Sequence, residues 1–290
     1  MSTNTWISAA RLRTLPAALA PVLIGTALAL ADDAFHAGAA AAALLGALLI
    51  QVGTNYANDY FDFVNGADTD ARVGPSRATQ SGRVTPKAMK VAFIVTFALM
   101  IPVIAYLTWR AGWPVVIIGV TSVISGILYT GGPKPLGYMG LGDLFVLVFF
   151  GPVAVGGTYF VQALQVTPEV IVAGLAPGLL STAILVVNNL RDIESDALVG
   201  KNTLAVRLGA GFARGEYLLT VLVGALIPVA LVAMTGEHLA ALAACGVLIP
   251  AVPVIRSMFT QSGAALDPNL GRTGKILVLY SLLFSVGWVL

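Results

Sequence analysis

Residues 38–62 read GAAAAALLGALLIQVGTNYANDYFD. From Gly38 to Asn58 the run has the length of one bilayer crossing, about 17 to 25 residues. It stays uncharged until Asp59 and Asp62 close it. The stretch therefore reads as a transmembrane helix that carries two carboxylates at one end. The rest of the chain repeats that pattern, because 58% of its 290 residues are apolar and 10% are charged, against roughly 25% charged in a soluble globular domain. The bilayer is its solvent. Further apolar runs lie near 14–31, 89–109, 113–130, 141–163, 168–190, 216–235, 239–260 and 273–290. With 38–58 they predict an all-α integral membrane bundle of nine transmembrane helices in one domain, 1–290, without a soluble extension. Pro and Gly inside the runs are tolerable where neighbouring helices satisfy the backbone.

The first 31 residues imitate a cleavable signal peptide, with Arg11 and Arg13 before an apolar stretch and Ala29-Leu30-Ala31 before Asp32. Pro16 and Pro21 interrupt that stretch and many spans follow, so a first transmembrane helix is the better reading. Cys245 is the single cysteine and excludes an internal disulfide. His36 and His238 fall in short polar breaks between apolar runs, which argues against a histidine-based zinc site or triad.

Nine spans place the termini on opposite sides, and the basic residues choose the orientation. The N-terminus and the connections after the second, fourth, sixth and eighth spans hold Arg11, Arg13, Arg72, Arg77, Arg83, Lys87, Lys90, Lys134, Arg191, Lys201, Arg207, Arg214, Arg256, Arg272 and Lys275. That is 15 of the 16 basic residues. Only Arg110 lies opposite, so the N-terminus and the long loops are expected to be cytoplasmic.

The same side carries the longest connections, roughly 25 to 30 residues after the second and sixth spans, and long loops tend to carry function. Asp59, Asp62, Asp68 and Asp70 flank the first, and Asp192, Glu194 and Asp196 the second, half of the 14 carboxylates. Asn58-Asp59-Tyr60-Phe61-Asp62 and Asn188-Asn189-Leu190-Arg191-Asp192 each end an apolar run, four spans apart, which points to two similar four-helix halves plus a ninth helix.

Residues four apart share a helix face. Asn55 therefore falls with Asp59, Asn58 with Asp62, and Asn188 with Asp192 and Asp196. Carboxylates so placed at a membrane helix end repel unless a positive group compensates. A divalent cation suits that role, and oxygen ligands from Asp and Asn suit magnesium, which completes its shell with water and phosphate. Arg72, Arg77, Lys134, Lys201 and Arg207 are candidate direct phosphate donors, although the orientation rule explains each of them equally well. Taken singly, Asp68, Asp70 or Glu194 reads as an ordinary cap or solvated loop residue. Asp143 reads either as a helix N-terminal acid or as a reactive carboxylate facing a cavity.

At these residues the chain resembles the UbiA superfamily of intramembrane prenyltransferases, whose pattern is an N-D-x-x-D-type motif after the second helix and D-x-x-x-D after the sixth. Here these are Asn58, Asp59 and Asp62, then Asp192 and Asp196. The resemblance covers essentially the whole chain. Many members have a third acid four residues after Asp62, where this chain has Gly66, with Asp68 two further on. That departure looks like the menaquinone-pathway branch, whose acceptor is 1,4-dihydroxy-2-naphthoate. The stretches Arg11–Pro16, Asn55–Tyr60, Arg72–Arg77, Asn188–Glu194 and Gly200–Arg207 are similar to that branch as well.

The resemblance implies two magnesium ions held by Asn58, Asp62, Asp192 and Asp196, helped by Asp59 and Asp68, bridging a polyprenyl diphosphate. Asp62, Asp192, Asp196 and Lys201 become the expected catalytic residues. Arg13, Asn55, Asp68, Arg72, Arg77, Lys134, Asp143, Asn188, Lys201 and Arg207 become the expected substrate-binding residues. The product would be a demethylmenaquinone, formed with loss of pyrophosphate and carbon dioxide. The prenyl tail would lie among apolar helices in the lipid bilayer of a bacterial inner membrane, and the loops 59–88 and 191–215 would close over the site. No nucleic acid is implied. The shared diphosphate chemistry leaves 4-hydroxybenzoate, homogentisate, a haem or a chlorophyllide as other acceptors. A transporter is the rival of a different class, but transporters place ionisable groups near the bilayer midplane, whereas these acids sit at helix ends.

Overall fold

Helix starts are written into the sequence as Thr followed by a helix-compatible residue. Thr85, Thr167 and Thr203 each accept a hydrogen bond from the amide three residues on, and Pro86 and Pro168 occupy the first helical position, where a missing N–H costs nothing. His36 does the same work through its Nδ1 atom, which accepts from the Ala39 amide at 3.1 Å. A computed structural model describes residues 3–67, 74 and 77–290. Its helices are α1 (Thr3–Ala9), α2 (Leu15–Ala31), α3 (Ala37–Val64), α4 (Pro86–Ala98), α5 (Met100–Ala111), α6 (Pro114–Leu128), α7 (Gly142–Val148), α8 (Ala154–Ala163), α9 (Pro168–Arg191), α10 (Ile193–Leu198), α11 (Leu204–Thr235), α12 (Leu248–Thr260) and α13 (Asp267–Val289). The chain is an all-α bundle.

Among the described residues seven helical stretches are long and apolar enough to cross a bilayer, with α6 a shorter eighth. The last predicted run, 273–290, falls in α13, whose first turns carry Asp267, Arg272 and Lys275 and are correspondingly polar. Large side chains such as Ile101, Trp109, Trp113 and Ile249 are mostly exposed, as expected of a surface that faces lipid. Trp109 and Trp113 flank Arg110 at the α5–α6 turn, the interfacial position that Trp favours.

Two expected boundaries need correction. The connection after the sixth apolar run is not a long loop: α10 follows Asp192 directly, and α11 begins at Leu204 rather than near 216. The Thr203 cap starts that helix, and Gly209, with φ of 85°, kinks it before the apolar span. The first connection is also shorter than expected, since α3 runs on to Val64.

Helix α9 is the axis of the fold and packs against α2, α7, α8, α11 and α13. Its buried face, including Leu180, Val186, Val187 and Leu190, joins Tyr159, Tyr217, Tyr280 and Phe284 in the main core. On the other side, α3 packs with α4, α5 and α6 around the smaller clusters of Ala57, Phe93 and Phe97 and of Ala39, Val103 and Leu107. A cavity lies between the two sides.

Between α7 and α8 the helix runs through a wide π turn, Phe149–Val153, with Gly151 at φ −105° and ψ −113°. Pro152 removes the N–H that would continue the ladder. The kinked backbone lies directly on α9, where a Cβ added at Gly178 would meet the Leu147 carbonyl oxygen and the Gly151 Cα. Backbone cannot yield as a flexible side chain does, so Gly178→Ala is expected to destabilise the bundle by about 1 to 3 kcal/mol. A melting curve in detergent unchanged from the parent would contradict this packing.

Candidate active site

Along α3, Ala43, Gly46, Ile50, Thr54, Asn58 and Asp62 recur at three- or four-residue steps and line one cavity of about 370 Å³. At about 1.5 Å per residue this face extends nearly 30 Å, most of a bilayer core. Its far part is apolar, walled by Val103, Leu107, Val115, Phe149 and Val161. Its near end is polar and charged, with Asp62, Arg77, Tyr138, Asp192, Asp196 and Lys201. Both acidic helix ends therefore open into one space.

At the first cluster, Asp62 is 1% exposed. Its Oδ2 accepts from Arg77 Nη2 at 2.6 Å and its Oδ1 from the Tyr138 hydroxyl at 2.8 Å, with Lys201 Nζ 3.3 Å away. The Lys201 ammonium also sits 5.0 Å from the Tyr138 ring centroid, within cation–π range. Asn58 Oδ1 accepts from the Thr130 hydroxyl at 2.8 Å. Asp59 faces away from this group. Its two oxygens accept the backbone amides of Ala78 and Thr79 at 3.0 and 2.9 Å, so it fastens the segment that delivers Arg77.

At the second cluster, Asp192 is held by its neighbour in sequence. Arg191 donates Nε to Oδ1 at 2.8 Å and Nη2 to Oδ2 at 2.6 Å, and Nη2 also reaches Asn188 Oδ1 at 2.7 Å. Asp196 stands one turn on, its amide donating to the Asp192 carbonyl. The two connections meet the clusters here: Lys201 of the second reaches Asp62 near the end of α3. Gly74 of the first lies so close to Arg191 that a Cβ would be 2.6 Å from Nη2.

The other expected site residues divide. Asn55 and Asn188 line the cavity, although the Asn55 amide is committed to the Ala10 carbonyl and the Thr14 hydroxyl. Arg13, Lys134 and Arg207 are exposed and do not line it. Arg13 instead pairs with Asp267 at 2.9 Å. Asp143, 6% exposed, sits behind the cavity wall, with Oδ1 lacking a hydrogen-bond partner. Asp68 and Arg72, like Asp70, lie outside the described residues.

Sequence reasoning missed Tyr138, Thr130, Tyr129 and Arg11, all of which line the cavity, and Arg191, whose side chain holds Asp192. The position of Arg191 immediately before Asp192 was a usable signal. Nothing in the local sequence announces Tyr138 or Thr130, because the chain fold brings the 130–138 turn across to α3.

Asp62, Asp192, Asp196, Asn58 and Asn188 present only oxygen ligands, the donor set that fits magnesium. Among the described residues no three acidic, histidine or cysteine side chains converge. The arrangement therefore fits an ion that keeps water and takes further ligands from a phosphate, rather than one enclosed by protein. Arg77, Lys201 and Arg191 supply fixed positive charge where a diphosphate would bring negative charge.

Such a cavity defines a class: a membrane-embedded helical protein that seats a charged head group between two acidic helix ends and an apolar chain among its helices. The chain belongs to the UbiA prenyltransferase family, whose match spans residues 18–270. It is 42% identical to the 1,4-dihydroxy-2-naphthoate octaprenyltransferase of Escherichia coli (strain K12) over 296 residues, 98% of this chain and 95% of that protein. Among solved structures, a UbiA homolog from Aeropyrum pernix K1 superposes with a TM-score of 0.72 at 14% identity, covering 93% of this chain and 97% of that one. A UbiA homolog from Archaeoglobus fulgidus bound to DMAPP and Mg2+ superposes at 0.64 with 16% identity, covering 97% and 99%. These two likenesses establish the fold.

Proposed function

We propose that this protein is a magnesium-dependent polyprenyltransferase that joins a polyprenyl diphosphate to 1,4-dihydroxy-2-naphthoate. The products are pyrophosphate, carbon dioxide and a demethylmenaquinone, released at the hydroquinone level. The observation that carries this reading is the single cavity joining Asp62, Asp192, Asp196 and Lys201 at one end to an apolar channel at the other. The acceptor is taken from the relative in Escherichia coli.

In this reading Asp62, Asp192 and Asp196, with Asn58, would hold magnesium, and the two acidic helix ends would accommodate two ions. Magnesium bound there would neutralise the charge that builds on the departing pyrophosphate as the allylic C–O bond breaks. Arg77 and Lys201 bind the phosphate oxygens directly. The apolar channel takes the first isoprene units and keeps water from the electron-deficient allylic carbon. The naphthoate ring supplies the electron pair for the new C–C bond, and carbon dioxide leaves from the substituted position. Asp59 anchors the loop and does not ligate metal. If the chain crosses nine times, as two four-helix halves plus a ninth helix, the distribution of basic residues supports a cytoplasmic position for this end of the cavity in a bacterial inner membrane.

Purified protein in liposomes should release pyrophosphate only when polyprenyl diphosphate, an aromatic acceptor and Mg2+ are all present. Chelation with EDTA should abolish the release and added magnesium restore it. Release that ignores the chelator, or no release under any of these conditions, would overturn the reading.

A further inference from the structure

Behind the second cluster, four charged side chains from three separate parts of the chain form a line. Arg13, ahead of α2, donates Nη1 to Asp267 Oδ2 at 2.9 Å. Asp267, the first residue of α13, accepts on its other oxygen from Arg191 Nη1 at 2.8 Å. Arg191, the last residue of α9, turns its remaining nitrogens to Asp192 at 2.8 and 2.6 Å. The signs alternate along the line, and burial grades it. Arg191 and Asp192 side chains are 2% and 6% exposed, Asp267 28% and Arg13 63%. The buried end opens into the cavity, and the exposed end is at the surface.

We propose that Asp267 is a positioning residue that sets how firmly Arg191 holds Asp192, and through it the affinity of the second cluster for magnesium. The inference rests on the metal reading given above. Arg191 is shared between two carboxylates, and an Asp192 oxygen must leave the guanidinium before it can ligate a cation. Asp267 draws Arg191 backwards and loosens its hold on Asp192. Arg13 in turn draws Asp267 outwards and weakens that pull. Removing the Asp267 charge therefore commits Arg191 to Asp192 and weakens metal binding. Removing the Arg13 charge leaves Asp267 wholly to Arg191 and strengthens it. Arg13 thus acts on Asp192 from outside the cavity, through two intermediaries, Asp267 and Arg191.

The test is thermal stabilisation of the purified protein, titrated with Mg2+ in the presence of inorganic pyrophosphate, which needs no turnover. Asp267→Asn, close in shape to the parent, should raise the half-maximal magnesium concentration several-fold, and Asp267→Glu should bring it back toward the parent value. Arg13→Gln, at an exposed position, should lower it. Lys275→Gln removes a charge from the same helix and should leave it unchanged. The double variant Arg13→Gln/Asp267→Asn should behave as Asp267→Asn alone, because Arg13 has no route to the site without Asp267. Shifts of equal sign for Asp267→Asn and Arg13→Gln, unchanged midpoints in both, or additivity in the double variant would overturn the relay while leaving the metal reading intact. No magnesium response in the unaltered protein would instead overturn the metal reading, and the relay with it.

Discussion

Asp192→Asn should lower prenyl transfer by on the order of a hundred- to a thousandfold, the usual scale for losing one preorganised electrostatic contact to a transition state, while leaving the bundle folded. The variant keeps the size and hydrogen-bonding shape of the side chain and removes its charge. Buried charge left without a partner normally costs several kcal/mol, but Arg191 would retain Asp267 at 2.8 Å and Asn188 at 2.7 Å. Its guanidinium would remain compensated. The loss should fall on the rate at saturating substrate rather than on melting temperature. Near-normal single-turnover rates in a folded Asp192→Asn protein would remove this carboxylate from the chemistry.

The second large effect is of the opposite kind. Asp59 sits three residues before Asp62, yet Asp59→Ala should destabilise the protein by roughly 3 kcal/mol or more, because two charge-assisted hydrogen bonds to buried amides disappear together. The amides of Ala78 and Thr79 would lose their acceptors, and the segment that carries Arg77 would lose its anchor. Activity should fall with stability, because Arg77 contacts Asp62 at 2.6 Å only while that segment is seated. Asp59→Asn keeps one acceptor oxygen and should lose about half as much. Melting curves of the two variants beside their magnesium midpoints separate the roles: an anchor lowers stability and spares the midpoint, and a ligand does the reverse.

Much of the fold could be read from hydropathy alone, because in lipid each span must satisfy its own backbone and so announces itself as an apolar run. The runs at 38–58, 168–190 and 239–260 all fall on helices. What hydropathy missed were the short polar helix α10 and the first turns of α11, where Arg207 and the kink at Gly209 break the apolar run and the Thr203 cap marks the start. The acids at both helix ends were legible from their spacing, and the structure brings both to one cavity. The distinction between Asp59 and Asp62 was not legible. Three residues apart, they point to different partners only because the 77–79 segment folds back on one side of α3. The same limit applies to the basic residues. A positive charge on this membrane face satisfies orientation wherever it stands, so Arg13, Lys134 and Arg207 looked equivalent to Arg77 and Lys201 until their positions were known.

Donor, acceptor and reaction are tested together by the mass of the product formed by purified protein in liposomes with octaprenyl diphosphate, Mg2+ and a panel of aromatic acids, and by the carbon dioxide released. A prenylated naphthohydroquinone of the demethylmenaquinone type is expected from 1,4-dihydroxy-2-naphthoate, with one carbon dioxide and one pyrophosphate for each product. Prenylation of 4-hydroxybenzoate or homogentisate in place of the naphthoate, or a naphthoate product that keeps its carboxylate, would contradict the proposed reaction.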